Sequence, residues 1–514
     1  MGPATIASNL AELVGAAASA TPQKAALVAG GVTITWADLD REVERCAAGL
    51  QAAGHPAGAR VGLLLPNAIP FAVAYFGVLR AGLVAVPLNT GYTAPELAYQ
   101  LEDAAMSLVV TDAERLPVLS AAGEVAAMVV DTDDGGWVQL LESGDGHAVE
   151  AIGAGEDLAV LLYTSGTSGR PRGAMLTHRA LLANLDQLSS IDPPVVQADD
   201  RVLLVLPLFH VYGLNAGLGM VARTGATGVL AERFDPVDTL ALVREQQVSG
   251  LLAAPPMFVA WSMLPDLGDS LSTVRLALSG AAPLPPAVLS AVLEASGHHI
   301  FEGYGLTETA PVLTTTLCSE VAKPASVGRP VPGVELRISR DGDVASTVDV
   351  VVDDDDEIDD DPGEVVVRGP NLFSGYWPDG AGGPDEDGWF PTGDIGYLDS
   401  DGDLFLVDRA RDLIIVSGFN VYPREVEEAL LRHPDVAEVA AIGVPHPYTG
   451  ETVKVLVVPR DGSSPSADAL IDYAASRLAR FKCPTAVEFV SELPHSLVGK
   501  VARGRLREST PTST

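Results

Sequence analysis

The sequence predicts an α/β protein with a large N-terminal domain and a small mobile α+β C-terminal domain. The large domain is expected to hold parallel-rich sheets with flanking helices, plus a small β-barrel. Three observations carry this. Apolar strand-like runs alternate with helix-like segments as far as Ser279, and after about Val331 the pattern turns to short strands and glycines. From Leu413 a compact strand–helix–strand unit follows. At 514 residues the chain is too long for one core, and 47% hydrophobic against 19% charged residues is the balance of a packed protein.

The elements follow in order. Thr35 reads as an N-cap with Asp38 three residues on, Leu39, Val43, Cys46 and Leu50 recur at helical spacing, and Gly54 ends the helix. Val61–Leu65 is a continuous apolar strand, then a helix over 69–81, Gly82 as its stop, and a strand Val84–Val86. The rhythm resumes at Ala159–Tyr163, Arg201–Leu206, Gly225–Leu230, Gly250–Ala254 and Thr273–Ser279. Short strands are expected at Glu364–Arg368, Gly396–Leu398 and Leu404–Val407. The last unit has a strand Leu413–Val416 and a helix opening at Pro423. Strands Glu438–Val444 and Val453–Val458, a helix Ala467–Ala479 and a strand near Val487–Val490 complete it. The expected division is 1–408, a hinge at 409–411, and 412–514.

The formal charge is −36, so sequence-independent nucleic-acid binding is excluded by repulsion from the phosphate backbone. The acidity is uneven: residues 412–514 hold 11 basic and 13 acidic side chains, whereas Asp353–Asp361 alone supplies eight acids. That run reads as a solvated surface insertion. Three widely spaced cysteines exclude a disulfide framework or CxxC metal site and suit the cytoplasm. Met1–Ala20 contains no basic residue, unlike a secretory signal. The most apolar stretch, Val61–Leu79, is broken by Pro66, Asn67 and Pro70, so no membrane span is expected.

The strongest chemical signal is Tyr163-Thr-Ser-Gly-Thr-Ser-Gly-Arg-Pro-Arg-Gly173, directly after the apolar strand. Thr164, Ser165, Gly166, Thr167, Ser168 and Gly169 supply hydroxyls and close backbone approach, and Arg172 supplies charge, as a polyphosphate requires. It is no Walker A loop, since GxxxxGK[ST] fits no register. Further signatures follow in order: Arg80–Pro87, Pro207–Gly213, Ser279–Leu284, Tyr304–Glu308, Thr392–Gly396, Asp408–Asp412 with Ser417-Gly418, and Gly499-Lys500.

This ordered set resembles the acyl-adenylate-forming superfamily over nearly the whole chain, in the manner of acyl-CoA synthetases. The resemblance implies ATP, Mg²⁺ and coenzyme A as cofactors or co-substrates, and a carboxylic acid, in particular a fatty acid, as substrate. It implies that Glu308, beside Thr307, carries Mg²⁺ on the ATP phosphates, an apt role for a hard oxygen ligand. Tyr304 offers a face to adenine, with Gly280, Ala281 and Ala282 as a small-residue wall and Glu302 and Gly303 adjoining. Asp394 and Arg409 fit the ribose hydroxyls. Lys500 bridges carboxylate and α-phosphate during adenylation. Arg411 is the hinge by which similar enzymes swing the small domain, bringing Lys500 in for one step and Ser417-Gly418 toward the thiol for the other.

His210 stands where amino-acid-activating relatives carry an Asp, so an amino-acid substrate is not expected. His210, with Tyr212, Gly303 and Gly305, is expected to line the acyl pocket. Two departures stand out: Arg172 replaces the family's Lys, and His495 with Leu497-Val498 replaces a basic residue and a small polar pair. Two alternatives keep the same fold: an acyl-AMP ligase loading a carrier protein, and a non-catalytic acyl or nucleotide sensor. Retention of Lys500, Glu308, Asp394 and Arg409 weighs against the sensor.

Overall fold

The computed structural model describes residues 7–164, 171–340, 362–409, 414–416, 419–446, 450–478, 480–495, 501 and 506. Two compact units result: Met1–Glu335 with Arg368–Phe390, and Leu336–Val367 with Pro391–Thr514.

The first unit is built on two sheets. One has nine strands, with Arg329–Pro330, Val312–Thr315, Ile300–Gly305, Leu276–Ser279 and Gly250–Ala253 on one side of Arg201–Leu204. Thr227–Leu230, Ala25–Ala29 and Val32–Thr35 lie on the other. From Ile300–Gly305 across to Ala25–Ala29 the pairings are parallel. The six-stranded sheet runs Ala126–Val129, Leu108–Thr111, Arg60–Leu64, Val84–Pro87, Leu158–Thr164, Arg172–Thr177, parallel except for its last pair. The strands Val84–Pro87, Leu108–Thr111, Gly250–Ala253 and Leu276–Ser279 are buried at every residue, so they read as unbroken apolar runs rather than as alternation.

The expected helices form here. Thr35 Oγ1 accepts from Asp38 N at 3.1 Å, capping the helix Trp36–Ala52. The helix Ile69–Arg80 is buried on all sides from Phe71 onward. Several expected strands are shorter than read: Arg201–Leu206 ends at Leu204, and Thr273–Ser279 begins at Leu276. At those ends the chain turns away to satisfy its polar groups in loops, although the apolar run continues. The hairpin Ala25–Ala29 with Val32–Thr35 was not among the expected elements.

The second unit has a four-stranded sheet, in the order Glu335–Ser339, Gly363–Arg368, Trp389–Leu398, Leu404–Arg409. It also has a five-stranded sheet in which Gly450–Pro459 pairs with Ile414–Val416, Val436–His446 and Ala486–Phe489. The helices Pro423–Leu431 and Ala467–Ala475 pack on the latter through Val426, Leu430, Leu470 and Ala474, buried with Val439, Val453, Val455 and Val457. On its other face Ile442 and Leu456 meet Leu493 and Leu506. The second helix ends at Ala475, four residues before its expected end at Ala479. Among the described residues no helix is long and apolar enough to cross a membrane.

Candidate active site

Open parallel sheets bind ligands beyond the C-terminal ends of their strands, where the strand order reverses. In the nine-stranded sheet that reversal falls at Arg201–Leu204, which has Thr227–Leu230 on one side and Gly250–Ala253 on the other. The loop leaving this strand leads to His210. Buried Asn67 fixes it: Nδ2 donates to Leu204 O (3.0 Å) and Leu206 O (2.9 Å), and Oδ1 accepts from Leu208 N (2.9 Å). His210 N donates to Pro207 O at 3.0 Å, and its Nδ1 lies 3.5 Å from Tyr212 N. Tyr212–Gly219 then forms a π-helix, a rare geometry that often marks functional positions. Fully buried Asn215 donates from this helix to Ala310 O at 2.7 Å.

The next strand ends bring the other motifs. Leu276–Ser279 runs into Gly280-Ala281-Ala282, where Ala281 holds φ +75°, a left-handed conformation costly for a residue with a Cβ. The Ser279 hydroxyl is buried there and has no hydrogen-bond partner among the described residues. Such an orphaned group suits a ligand that bonds at this wall. Glu302 on the neighbouring strand is paired with Ser279 in register, and its Oε1 accepts from Leu284 N at 3.2 Å, tying down the far side of the loop. Tyr304 is buried, while Gly303 and Gly305 on the same strand are half-buried. Glu302 and Tyr304 face opposite Gly303 and Gly305 in the strand's alternation.

Thr307–Thr309 is a single 3-10 turn. Glu308 is buried in it, and its Oε1 accepts from the Tyr376 hydroxyl at 2.6 Å. In the six-stranded sheet Thr164 and Arg172 pair as the last register of a hairpin. Ser165, Gly166, Thr167, Ser168 and Gly169 lie outside the described residues. The Arg172 guanidinium carbon sits 3.6 Å from the centroid of the Tyr376 ring. Arg172 and Glu308, distant in sequence, therefore meet on one aromatic side chain. Sequence reading did not single out Tyr376; its signal is the lone Gly375-Tyr376-Trp377 aromatic pair beside a glycine, which is weak.

A buried carboxylate is a hard oxygen ligand for magnesium, and a guanidinium nearby pairs with phosphate, so the residues present fit Mg²⁺ carried on ATP. The cavity of about 510 Å³ at Leu116–Ala127 lies by the opposite edge strand of that sheet and contains none of these residues.

In the second unit Asp394 is buried in Trp389–Leu398, and its backbone is paired with that of Arg409. Thr392 Oγ1 donates to Val365 O (2.8 Å) and Gly393 N to Glu364 Oε1 (3.1 Å), which fixes the turn leading to Asp394. Arg411, Ser417, Gly418 and Lys500 lie outside the described residues. Their neighbours do not: Val416 pairs with Phe419, and His495 with Val501, on either side of the two spans.

The family described as AMP-binding enzyme matches residues 14–377, and its C-terminal domain matches residues 425–500. The chain is 34% identical to a long-chain-fatty-acid–CoA ligase of Bacillus subtilis, covering 95% of this chain and 92% of that one. It is 36% identical to a feruloyl-CoA synthase of Amycolatopsis, covering 95% and 96%. Among solved structures, ATP-bound MatB from Rhodopseudomonas palustris superposes with a TM-score of 0.86 at 32% identity, covering 98% of this chain and 99% of that one. A fatty acyl CoA synthetase of Mycobacterium tuberculosis gives 0.76 at 31%, covering 97% and 98%. By its matched segments, its motifs and its fold, the chain belongs to the AMP-binding enzyme family.

Proposed function

We propose that this protein, an AMP-forming acid–CoA ligase using ATP, Mg²⁺ and CoA, takes a fatty acid as its acid. The observation that narrows the substrate class is His210, an uncharged or cationic group in the loop after the reversal-point strand of the main sheet. It cannot offer the carboxylate an amino-acid substrate would need. The relatives named for long-chain fatty acids, matched over nearly the whole chain, support the same reading.

In the first half-reaction a carboxylate oxygen bonds to the ATP α-phosphorus while the bond to pyrophosphate breaks. In the second, the CoA sulfur bonds to the acyl carbon, AMP leaves, and the thiol proton passes to solvent. Glu308 would hold Mg²⁺, which supplies charge neutralisation for the triphosphate. Arg172 and residues 164–169 hold the phosphates, Tyr304 and the Gly280–Ala282 wall take adenine, with Glu302 and Gly303 adjoining and Thr307 beside the metal carboxylate. Asp394 and Arg409 take the ribose. Lys500 offsets the repulsion between the two reacting anions. Ser417 and Gly418 serve the thiol step, with Arg411 in a hinge at 409–411 between the domains 1–408 and 412–514. We place the enzyme in the cytoplasm, supported by its three cysteines, too few and too widely spaced in sequence for a disulfide framework.

The test is pyrophosphate release across a panel of carboxylic acids, with and without CoA. Release with fatty acids and formation of their CoA thioesters is expected. Release without any thioester would instead favour transfer to a carrier protein.

A further inference from the structure

The segment Asn371–Trp377 carries none of the family signatures read from the sequence, yet it is stitched to two of the motif segments at once. On one side Ser374 N donates to Met175 O (3.0 Å), Met175 N to Gly375 O (3.1 Å) and Trp377 N to Gly173 O (2.8 Å). These bonds lay Tyr376 opposite Ala174 on the strand that begins with Arg172. On the other side Phe373 N donates to Glu308 O (2.9 Å) and Asn371 Nδ2 to Thr309 O (2.7 Å). Gly375 adopts φ +96°, and a Cβ there would lie 2.0 Å from Gly380 O, so this bend admits only glycine. Phe373, 1% exposed, packs edge-on to Tyr376 with ring centroids 5.0 Å apart. The Tyr376 side chain is thus held from both ends.

A phenol offers two different handles: a negative ring face to a cation and an O–H donor to a carboxylate. Tyr376 uses both, with Arg172 at 3.6 Å over the ring and Glu308 Oε1 at 2.6 Å from the hydroxyl. Among the described residues Arg172 and Glu308 form no direct ion pair, so neither neutralises the other. A planar guanidinium can stack on the ring where an ammonium would sit only as a point charge. Arginine at 172 and tyrosine at 376 are therefore a matched pair.

We propose that Tyr376 is a positioning residue for metal–nucleotide binding, presetting the phosphate cation Arg172 and the metal carboxylate Glu308 relative to each other. The proposal rests on the roles given above to those two residues. Tyr376→Phe keeps the stack and loses the hydroxyl bond, whereas Tyr376→Leu loses both.

The experiment is calorimetric titration of ATP, in Mg²⁺ and in EDTA, into the full-length wild type and both variants, with a melting curve for each. For Tyr376→Phe, the tightening of ATP binding by Mg²⁺ should shrink about tenfold while the metal-free Kd stays unchanged. For Tyr376→Leu, the metal-free Kd should weaken as well, by about threefold. Full Mg²⁺ tightening in Tyr376→Phe, or equal weakening in both buffers, would overturn the proposal. If the wild type shows no Mg²⁺ dependence, the Glu308 assignment fails and the proposal with it. If the wild type shows it and Tyr376→Phe matches, only the role of Tyr376 fails. Should Tyr376→Phe not fold, Arg172→Lys carries the test: weakened metal-free binding with full Mg²⁺ tightening supports the pairing, and unchanged metal-free binding overturns it.

Discussion

The two units hold their candidate residues by different means. In the first, Arg172, Glu308 and Tyr376 come from segments far apart in sequence and meet around one aromatic ring, and side-chain-to-backbone bonds such as those of Asn67, Asn215 and Asn371 fix the surrounding loops. In the second, His495 and Val501, which flank Lys500 in sequence, pair with each other, and Val501 packs on a hydrophobic core drawn from the C-terminal hundred residues. A site assembled from distant segments demands a cooperative scaffold. A single side chain on a self-contained platform can be removed with less effect on the rest.

The largest effect expected from that contrast concerns Lys500. Lys500→Ala should lower acyl-AMP formation by about 10²–10³-fold, while CoA thioester formation from supplied acyl-AMP persists. Rapid-quench measurement of each half-reaction checks this, and equal loss of both would break the comparison.

Acid should separate the units next. His178 is buried, its Nδ1 accepting from Leu10 N at 3.1 Å, and burial pushes its pKa down from 6.5 to about 4. The folded form binds its proton less tightly than the unfolded chain, so the contribution is complete above pH 6.5. It is lost as pH falls toward 4, by about 3 kcal/mol in all. Calorimetric melts should show the transition of the first unit falling over that window. A His178→Asn variant should flatten the fall, and a wild-type melt constant from pH 7 to 4 would refute the assignment.

Asp394 sharpens the comparison on the second unit. Asp394 is buried in a strand next to the fixed Thr392-Gly393 segment, so Asp394→Asn should raise the KM for ATP about tenfold, through loss of one charge-assisted bond. The melting temperature should change little. An unchanged KM would remove Asp394 from the nucleotide site.

The smallest effect belongs to Gly280. A Cβ there would lie 3.0–3.4 Å from the Tyr212 ring, so Gly280→Ala forces that ring to give by a few tenths of an ångström. A cost of about 1 kcal/mol and a modest change in acid preference are expected. An acid profile identical to wild type would mean that Tyr212 does not border the acyl pocket.

Much of this was legible in the sequence, for reasons that differ by element. The buried parallel strands announced themselves because both faces are covered, and Thr35 because a cap needs its hydroxyl at a fixed offset. Asp394 and Glu308 were singled out through their neighbours in sequence, and both prove to be buried. The π-helix Tyr212–Gly219 was not, because its backbone departs from the ordinary helical period that side-chain spacing reports. The left-handed Ala281 was hidden too, since alanine gives no hint of positive φ. Tyr376 escaped because its meaning lies in two partners about 70 and 200 residues away, a relation no local pattern contains.

The most direct test of the account is a competition. A long-chain fatty acid and ferulic acid are supplied together at equal concentration with ATP, Mg²⁺ and CoA, and the thioesters are identified by mass. The fatty acyl-CoA should dominate the products. Predominant feruloyl-CoA, or the absence of both thioesters, would contradict the fatty-acid assignment.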